Sequence, residues 1–301
     1  MDLLKPYEIK SLEKLFGSSN IKTDLSKILD NKSKLNTLLK NINKNILAIR
    51  TILKLTNMYP YNIFNEPKEI NIINNKKKLI FPYKDNEDFR YSNVSLFSVT
   101  PLDQAIYTTT ILLSFIKNPE KKILTEANGC IGGNTWIFAK KFKKVNVIEL
   151  SKLHFEFLKH NMSLLDVNNI NYYNGNCIDY IFDLKNNVLF FDPPWGGISY
   201  KEGSNQIGYM YKHIFLSIDN IVTQEYFSHN CDLIMLKLPL KYNMYHIKKN
   251  NKFKYYYVFI IRTAKRPVYK LVVLTNKRPH TKVDETIVKE FHYKQIKTKN
   301  K

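Results

Sequence analysis

Residues 123–150 read ILTEANGCIGGNTWIFAKKFKKVNVIEL, and the order of features inside this stretch decides the fold. Ile123–Ala127 is a short apolar run. Gly129, Gly132 and Gly133 follow within seven residues, and a helical pattern then extends from about Thr135 to Lys141. Val145–Leu150 is a second apolar run. A run, a glycine-bearing turn, a helix and another run make a strand–helix–strand unit, whose two strands lie parallel. Working outward, a helix is predicted over 151–165, a weaker third strand at Ile170–Tyr173, a short helix near 177–183 and a fourth strand at Val188–Phe191. Leu233–Leu238, Lys254–Ile261 and Tyr269–Thr275 supply three more strands. The last two are joined by Arg262–Pro267, short enough for a hairpin, so an antiparallel pair is expected at one edge of a mostly parallel, seven-stranded, doubly wound α/β sheet.

Upstream, residues 8–57 place Leu and Ile at spacings of three and four with Lys and Asn on the other face, a pattern of amphipathic helices. Residues 58–95 carry Pro60, Pro67, Pro82 and the run Lys76-Lys77-Lys78, and read as loops and short strands. Thr100-Pro101 before the apolar stretch Ala105–Ile116 predicts a helix start, with Thr100 as N-cap and Pro101 as the first helical residue. The expected division is a helical extension and connecting segment over 1–95, a catalytic domain over 96–276, and a basic tail over 277–301 ending in a short helix or irregular chain.

Composition limits the function classes. The chain has 301 residues, 44% of them hydrophobic, enough for a sizeable core. Its 47 basic against 26 acidic residues leave a net charge of +21, which favours polyanionic partners such as nucleic acid. Cys130, Cys177 and Cys231 are far apart, so neither a CxxC zinc site nor a disulfide framework is expected, and the low odd count suits a reducing compartment. No histidine sits in a metal-like or triad arrangement, and no metal is expected. Lys5, Glu8, Lys10 and Glu13 interrupt any apolar core of a secretory signal, and no run approaches the ~18 residues of a membrane span. The reading is an intracellular protein, cytoplasmic or nuclear, with no membrane partner.

Ligands of open α/β sheets bind at the carboxyl ends of the strands. Three candidate groups fall there. The turn from Glu126 to Thr135 brings Gly129, Gly132, Asn134 and Thr135 together after the first strand, and lacks the spacing of a nucleotide-hydrolysing P-loop. Glu149 ends the second strand 23 residues after Glu126, where a carboxylate holds a ribose diol. Asn176 follows the third strand, where it either accepts from an adenine amino group or forms a turn. Asp192-Pro193-Pro194-Trp195-Gly196-Gly197 ends the fourth strand. Its prolines hold the backbone extended, so Asp192 and strand-end carbonyls offer acceptors while Trp195 offers a flat π-face. Acceptors beside a stacking ring suit the exocyclic amino group of a nucleobase.

Three stretches, Phe97-Ser98-Val99-Thr100-Pro101, Gly132-Gly133-Asn134-Thr135 and Pro193-Pro194-Trp195-Gly196-Gly197 with Tyr200 following, resemble the trimethylguanosine synthase family of cap guanine-N2 methyltransferases in order and spacing. The resemblance covers roughly residues 89–245. It implies a class I, Rossmann-like methyltransferase fold, S-adenosylmethionine as cofactor and 7-methylguanosine-capped RNA as partner. It further implies that Ser98, Thr100 and the turn from Glu126 to Thr135 surround the cofactor, that Glu149 holds its ribose, and that Trp195 stacks on the cap base. By the same resemblance Asp192 and Pro193 sit beside the N2 amine, Arg90 and Tyr200 lie near the cap, and, more loosely, Lys237 and Lys241 flank Leu238-Pro239, where the family has a strand end followed by cap-contacting polar residues. The chain departs from the family pattern at Asn128-Gly129-Cys130, where the first glycine is shifted, at Asn176, where an acid is expected, and at Asp192, where relatives carry Ser. An adenine-N6 or internal guanine-N2 methyltransferase, and an RNA-binding module on a decayed methyltransferase fold, stay open as alternatives.

Overall fold

The computed structural model describes residues 4–16, 35, 37–39, 42, 45–56, 81, 89–195, 207–212, 214–262, 267–281 and 288–295. The expected strands form within a residue or two of their predicted bounds. They are β1 Ile123–Glu126, β2 Lys144–Glu149, β3 Ile170–Asn174 and β4 Val188–Phe191. Two short strands, β5 Gly208–Tyr211 and β6 Ile214–Ser217, come next, and then β7 Leu233–Pro239, β8 Tyr255–Arg262, β9 Pro267–Thr275 and β10 Val288–Gln295. The main sheet runs β10-β8-β9-β7-β4-β1-β2-β3. β3, β2, β1, β4 and β7 are parallel, whereas β9 is antiparallel to β7 and β8 to β9. The β8–β9 hairpin therefore folds back so that its second strand inserts beside β7 and its first lies outside.

Two features went beyond the sequence reading. Within 277–301, read as a short helix or irregular chain, Val288–Gln295 adds an eighth strand antiparallel to β8. The β5–β6 hairpin forms a separate two-stranded sheet over a segment to which no structure had been assigned. Its residues alternate too irregularly, and it is too short, for the pattern to separate from background.

Alternation along each central strand buries both faces. In β7, Leu233 and Met235 join one core with Val188 and Phe190 of β4, and Ile234, Leu236 and Leu238 join the other with Leu189 and Phe191. The first core is closed by the helices Leu102–Leu113 and Thr135–Ala139. The second is closed by residues from the helices Pro6–Phe16 and Ile46–Thr56, so the N-terminal segment packs directly on the sheet. Arg50 fixes this docking. Its guanidinium, 4% exposed, binds Glu8 Oε1 at 3.1 Å, the Asp179 carbonyl at 2.9 Å, and the Asp183 carboxylate.

The helix after Pro101 begins at Leu102, one residue later than predicted, and Pro101 rather than Thr100 occupies the N-cap position. The Thr100 hydroxyl is engaged elsewhere, in the candidate site.

Candidate functional site

The carboxyl ends of β1, β2, β4 and β7 converge on one pole of the sheet. At the end of β1, Glu126 is buried, and its Oε2 accepts from the Thr135 hydroxyl at 2.6 Å. Burial pushes its carboxyl up to about 8 against the pull of the Thr135 bond, with the Asp192 charge adding a smaller push. Oε1 is buried without a hydrogen bond of good geometry, as is Asn134 Oδ1, although the Asn134 side chain lies close enough to exert a smaller downward pull on the Glu126 carboxyl. An unsatisfied buried acceptor is costly, and two around one glycine turn mark a place for a donor-bearing ligand.

The turn itself is tight. Gly132 adopts φ 103°, open to glycine at little cost, and a Cβ on Gly133 would lie 2.5 Å from the Thr100 carbonyl oxygen. Cys130 takes φ 49° although it is not glycine. Its N–H donates to Glu149 Oε2 at 2.8 Å, so the carboxylate at the end of β2 braces the unusual backbone. Glu149 Oε1 accepts from the Ser151 N–H at 2.9 Å. Burial raises this carboxyl to about 7 while those backbone donors oppose the shift. Each Glu149 oxygen thus accepts one backbone N–H.

At the end of β4 a second polar group forms. Lys237, two residues before the end of β7, places its ammonium 2.8 Å from both Asp192 Oδ2 and the Thr100 hydroxyl. The two side chains of the ion pair are 8% and 14% exposed. Asn134 Nδ2 donates to the same Thr100 hydroxyl at 3.0 Å. Burial pushes the Asp192 carboxyl up, and Lys237 pulls it back. The Trp195 indole N–H donates to the Lys237 carbonyl at 3.3 Å, and the Lys237 ammonium lies 5.7 Å from the indole centroid. One residue of β7 therefore orients the indole through its backbone and neutralises Asp192 through its side chain. Pro193 is buried and Pro194 exposed.

Thr100, Glu126, Gly129, Gly132, Asn134, Thr135, Glu149, Asp192 and Trp195 are thus gathered at one end of the sheet. Asn176 sits nearby. It caps the helix Cys177–Tyr180 by accepting from the Ile178 N–H, and its amide donates to the Met210 carbonyl of β5. Arg90 has an exposed side chain, and its backbone is clamped by Asn161, which also binds the Ile131 carbonyl of the glycine turn. Ser98 ends the short helix Asn93–Ser98 with its side chain exposed, and Lys241 is exposed in the turn after β7. Tyr200 lies outside the described residues, as do Lys76, Lys77 and Lys78. Sequence reasoning noticed Lys237 only as a neighbour of Leu238-Pro239 and did not pair it with Asp192. The available signal was a lone Lys in an otherwise apolar strand, a placement that needs a buried counter-charge.

Comparison with known proteins agrees with the motif reading. Residues 121–252 match the RNA cap guanine-N2 methyltransferase family. The matched stretch contains the glycine turn, Glu149, Asp192 to Trp195 and Lys237, while Phe97 to Pro101 lies outside it. The chain is 34% identical over 140 residues to an uncharacterized protein of Acanthamoeba polyphaga mimivirus, across 42% of this chain and 52% of that one. It is 29% identical to an uncharacterized RNA methyltransferase of Fusobacterium nucleatum, across 58% of this chain and 37% of that one. The chain therefore spans about half the length of the first relative and little more than a third of the second. Among solved structures, an rRNA methylase from Streptococcus thermophilus aligns with 60% of this chain and 100% of its own, with a TM-score of 0.40 and 12% identity.

The residues present fit S-adenosylmethionine. The orphaned Glu126 Oε1 and Asn134 Oδ1 suit the donors of its ammonium end, and Glu149 ends the strand neighbouring β1, where a carboxylate can take up ribose hydroxyls.

Proposed function

We propose that the protein transfers a methyl group from S-adenosylmethionine to the exocyclic N2 amine of the 7-methylguanosine cap of RNA. The observation that carries this reading is the Asp192–Lys237–Trp195 arrangement at the end of β4, beside a glycine turn with two orphaned acceptors. The match of residues 121–252 to the cap guanine-N2 family supports the same substrate.

When bound, the cofactor supplies an electrophilic sulfonium methyl with a neutral thioether as leaving group. The protein's part is then to position and desolvate a weak neutral nucleophile. The Lys237 and Thr100 hydrogen bonds both fall on Asp192 Oδ2, so Oδ1 is the oxygen assigned to one proton of the guanine amine. The Pro193 carbonyl, at the strand end, takes the other. Two accepted protons direct the nitrogen lone pair away from both acceptors. No strong base is needed beforehand, because the extra proton of the product leaves after transfer.

Trp195 stacks on the base. Its ring is fixed by the bond from Nε1 to the Lys237 carbonyl and by packing against both cores. A 7-methylated guanine is cationic, and stacking a desolvated cation on indole is worth about 2 kcal/mol. The Lys237 ammonium already lies near the same ring, which reduces that gain, so shape and the Asp192 acceptor carry more of the cap preference.

The test is methyl transfer from labelled S-adenosylmethionine to m7GpppG-capped, GpppG-capped and uncapped RNA of one sequence, with wild type beside Trp195→Ala. Label confined to the m7G-capped RNA and lost in the variant is the expected result. Equal labelling of all three RNAs would overturn the cap reading in favour of an internal base. No labelling, with no cofactor bound in a titration, would overturn enzymatic function altogether.

A further inference from the structure

A row of exposed cations lines the pole of the sheet opposite the candidate site. The site end holds Glu126, Glu149 and Asp192 against Lys237, with no cationic excess among these groups. The other pole is formed where β1, β2, β7 and β8 begin and β9 ends. Tyr255 pairs with Thr275, and Thr275 with Leu233, so the start of β8 and the end of β9 lie level with the start of β7. Lys121 and Lys122 lead into β1, and Lys143 and Lys144 into β2. Lys254 precedes β8, and Lys277 and Arg278 follow β9.

Hydrogen bonds knit these turns into one continuous rim. The Lys143 N–H donates to the Lys122 carbonyl at 3.0 Å, and the Lys254 N–H to Asn276 Oδ1 at 2.9 Å. Asp232 accepts from Lys122 at 2.9 Å and from Lys277 at 2.7 Å, so a single carboxylate joins the β1 side of the rim to the β9 side. The Tyr255 ring holds the Lys254 ammonium and the Arg278 guanidinium 5.4 and 5.7 Å from its centroid. Lys121, Lys143, Lys144, Lys254, Lys277 and Arg278 are exposed. From β2 to β8 the rim crosses five strand spacings, roughly 24 Å at about 4.8 Å each. A line of cations of that length matches a polyanion with regularly spaced charges and far exceeds one phosphate group.

The geometry points to this rim as a docking surface for the phosphate backbone of single-stranded RNA, opposite the site where the base is modified. The inference rests on the proposed reading only in taking RNA as the partner. β7 is seven residues long, about 23 Å at ~3.3 Å per residue, so RNA bound at both poles must wrap the side of the sheet. A cap dinucleotide cannot reach the rim, whereas a long capped RNA gains from both contacts. Because phosphate contacts are read without sequence, the rim serves any RNA long enough to reach it.

The test measures binding of an uncapped 25-nucleotide RNA to the full chain by fluorescence anisotropy across a salt series. The rim variant replaces Lys121, Lys143, Lys144 and Lys254 by Glu. A control variant replaces Lys10, Lys14, Lys159 and Lys248 by Glu, giving the same change in net charge on other exposed surfaces. The expected result is a loss of roughly thirtyfold or more in affinity for the rim variant. The slope of log affinity against log salt should shrink by about 2–3, while the control loses a few-fold. Both variants should retain wild-type melting temperature and wild-type activity on a cap dinucleotide. Equal loss in rim and control variants would overturn the inference, since total charge alone would then explain binding. So would unchanged RNA binding in the rim variant, even if its binding to anionic vesicles fell. Failure of methyl transfer with rim-dependent RNA binding intact would defeat the proposed reaction and leave the inference standing.

Discussion

Replacing Lys237 by Met keeps most of the length of the side chain, one atom short, and removes its charge. The pair it forms with Asp192 is 2.8 Å apart, with both side chains largely buried. At an effective dielectric of about 20, two unit charges at that distance attract by roughly 6 kcal/mol before desolvation is counted. The net worth of the pair is smaller, but removing one partner leaves an uncompensated buried charge, and such variants lose about 3–5 kcal/mol. An exposed pair such as Lys14 with Glu225 would cost less than about 1 kcal/mol. With the ammonium gone, burial acts on Asp192 against the Thr100 hydroxyl alone and its carboxyl rises further. The protonated acid then offers a donor toward a substrate amine that itself needs acceptors. Lys237→Met should therefore unfold at markedly lower denaturant. Its methyl transfer should be depressed most at low pH and recover as pH rises through the new Asp192 value. The assays are urea unfolding followed by circular dichroism, and a kcat/KM profile against pH. The double variant Lys237→Met, Asp192→Asn should regain part of the lost stability, because no buried charge is left unpaired. A single variant as stable as wild type, with an unchanged pH profile, would refute the view that Lys237 holds Asp192 ionised.

Glu126, with a folded-state value of about 8 against an ordinary 4.5, contributes stability that is full below about 4.5 and lost as pH rises through 8. Between pH 5 and 8.5 this carboxyl should take about 4 kcal/mol from the ligand-free protein, and Glu126→Gln should remove that share of the slope in thermal melts, leaving the share of Glu149, whose carboxyl is raised to about 7. Gly133→Ala places a Cβ against the Thr100 carbonyl at 2.5 Å, so stability should fall by about 1–3 kcal/mol, with a matching loss of cofactor affinity by titration calorimetry. Arg50→Ala leaves Glu8 buried without its cation and should cost about 3–5 kcal/mol in denaturant unfolding. It should also expose the N-terminal segment to early proteolytic cleavage, detected by mass spectrometry.

The sequence alone determined the strand–helix alternation from Ile123 to Phe191 and the antiparallel hairpin after β7, because period-two apolar runs and glycine turns are local signals. It also placed the glycine turn, Glu149 and Asp192 to Trp195 at strand ends, since a motif that ends a buried strand has its position set by that strand. Tertiary structure decided what those side chains do. Thr100 looked like a helix cap, yet its hydroxyl is drawn into the Asp192 and Lys237 group 92 and 137 residues away in the chain. Asn176, read as an adenine acceptor or a turn residue, has partners only the fold supplies, since its amide donates to the Met210 carbonyl 34 residues away. Lys237 reads as a defect in an apolar strand until β7 is laid beside β4, which brings Asp192 within hydrogen-bond reach. The basic rim has the same origin. Its cations are scattered along the chain as ordinary surface charge, and they become one surface because the parallel strands begin, and antiparallel β9 ends, at the same pole of the sheet. Local patterns fix which residues form an element. Electrostatic partners depend on which elements become neighbours, and that follows from strand order, which no single stretch of sequence contains.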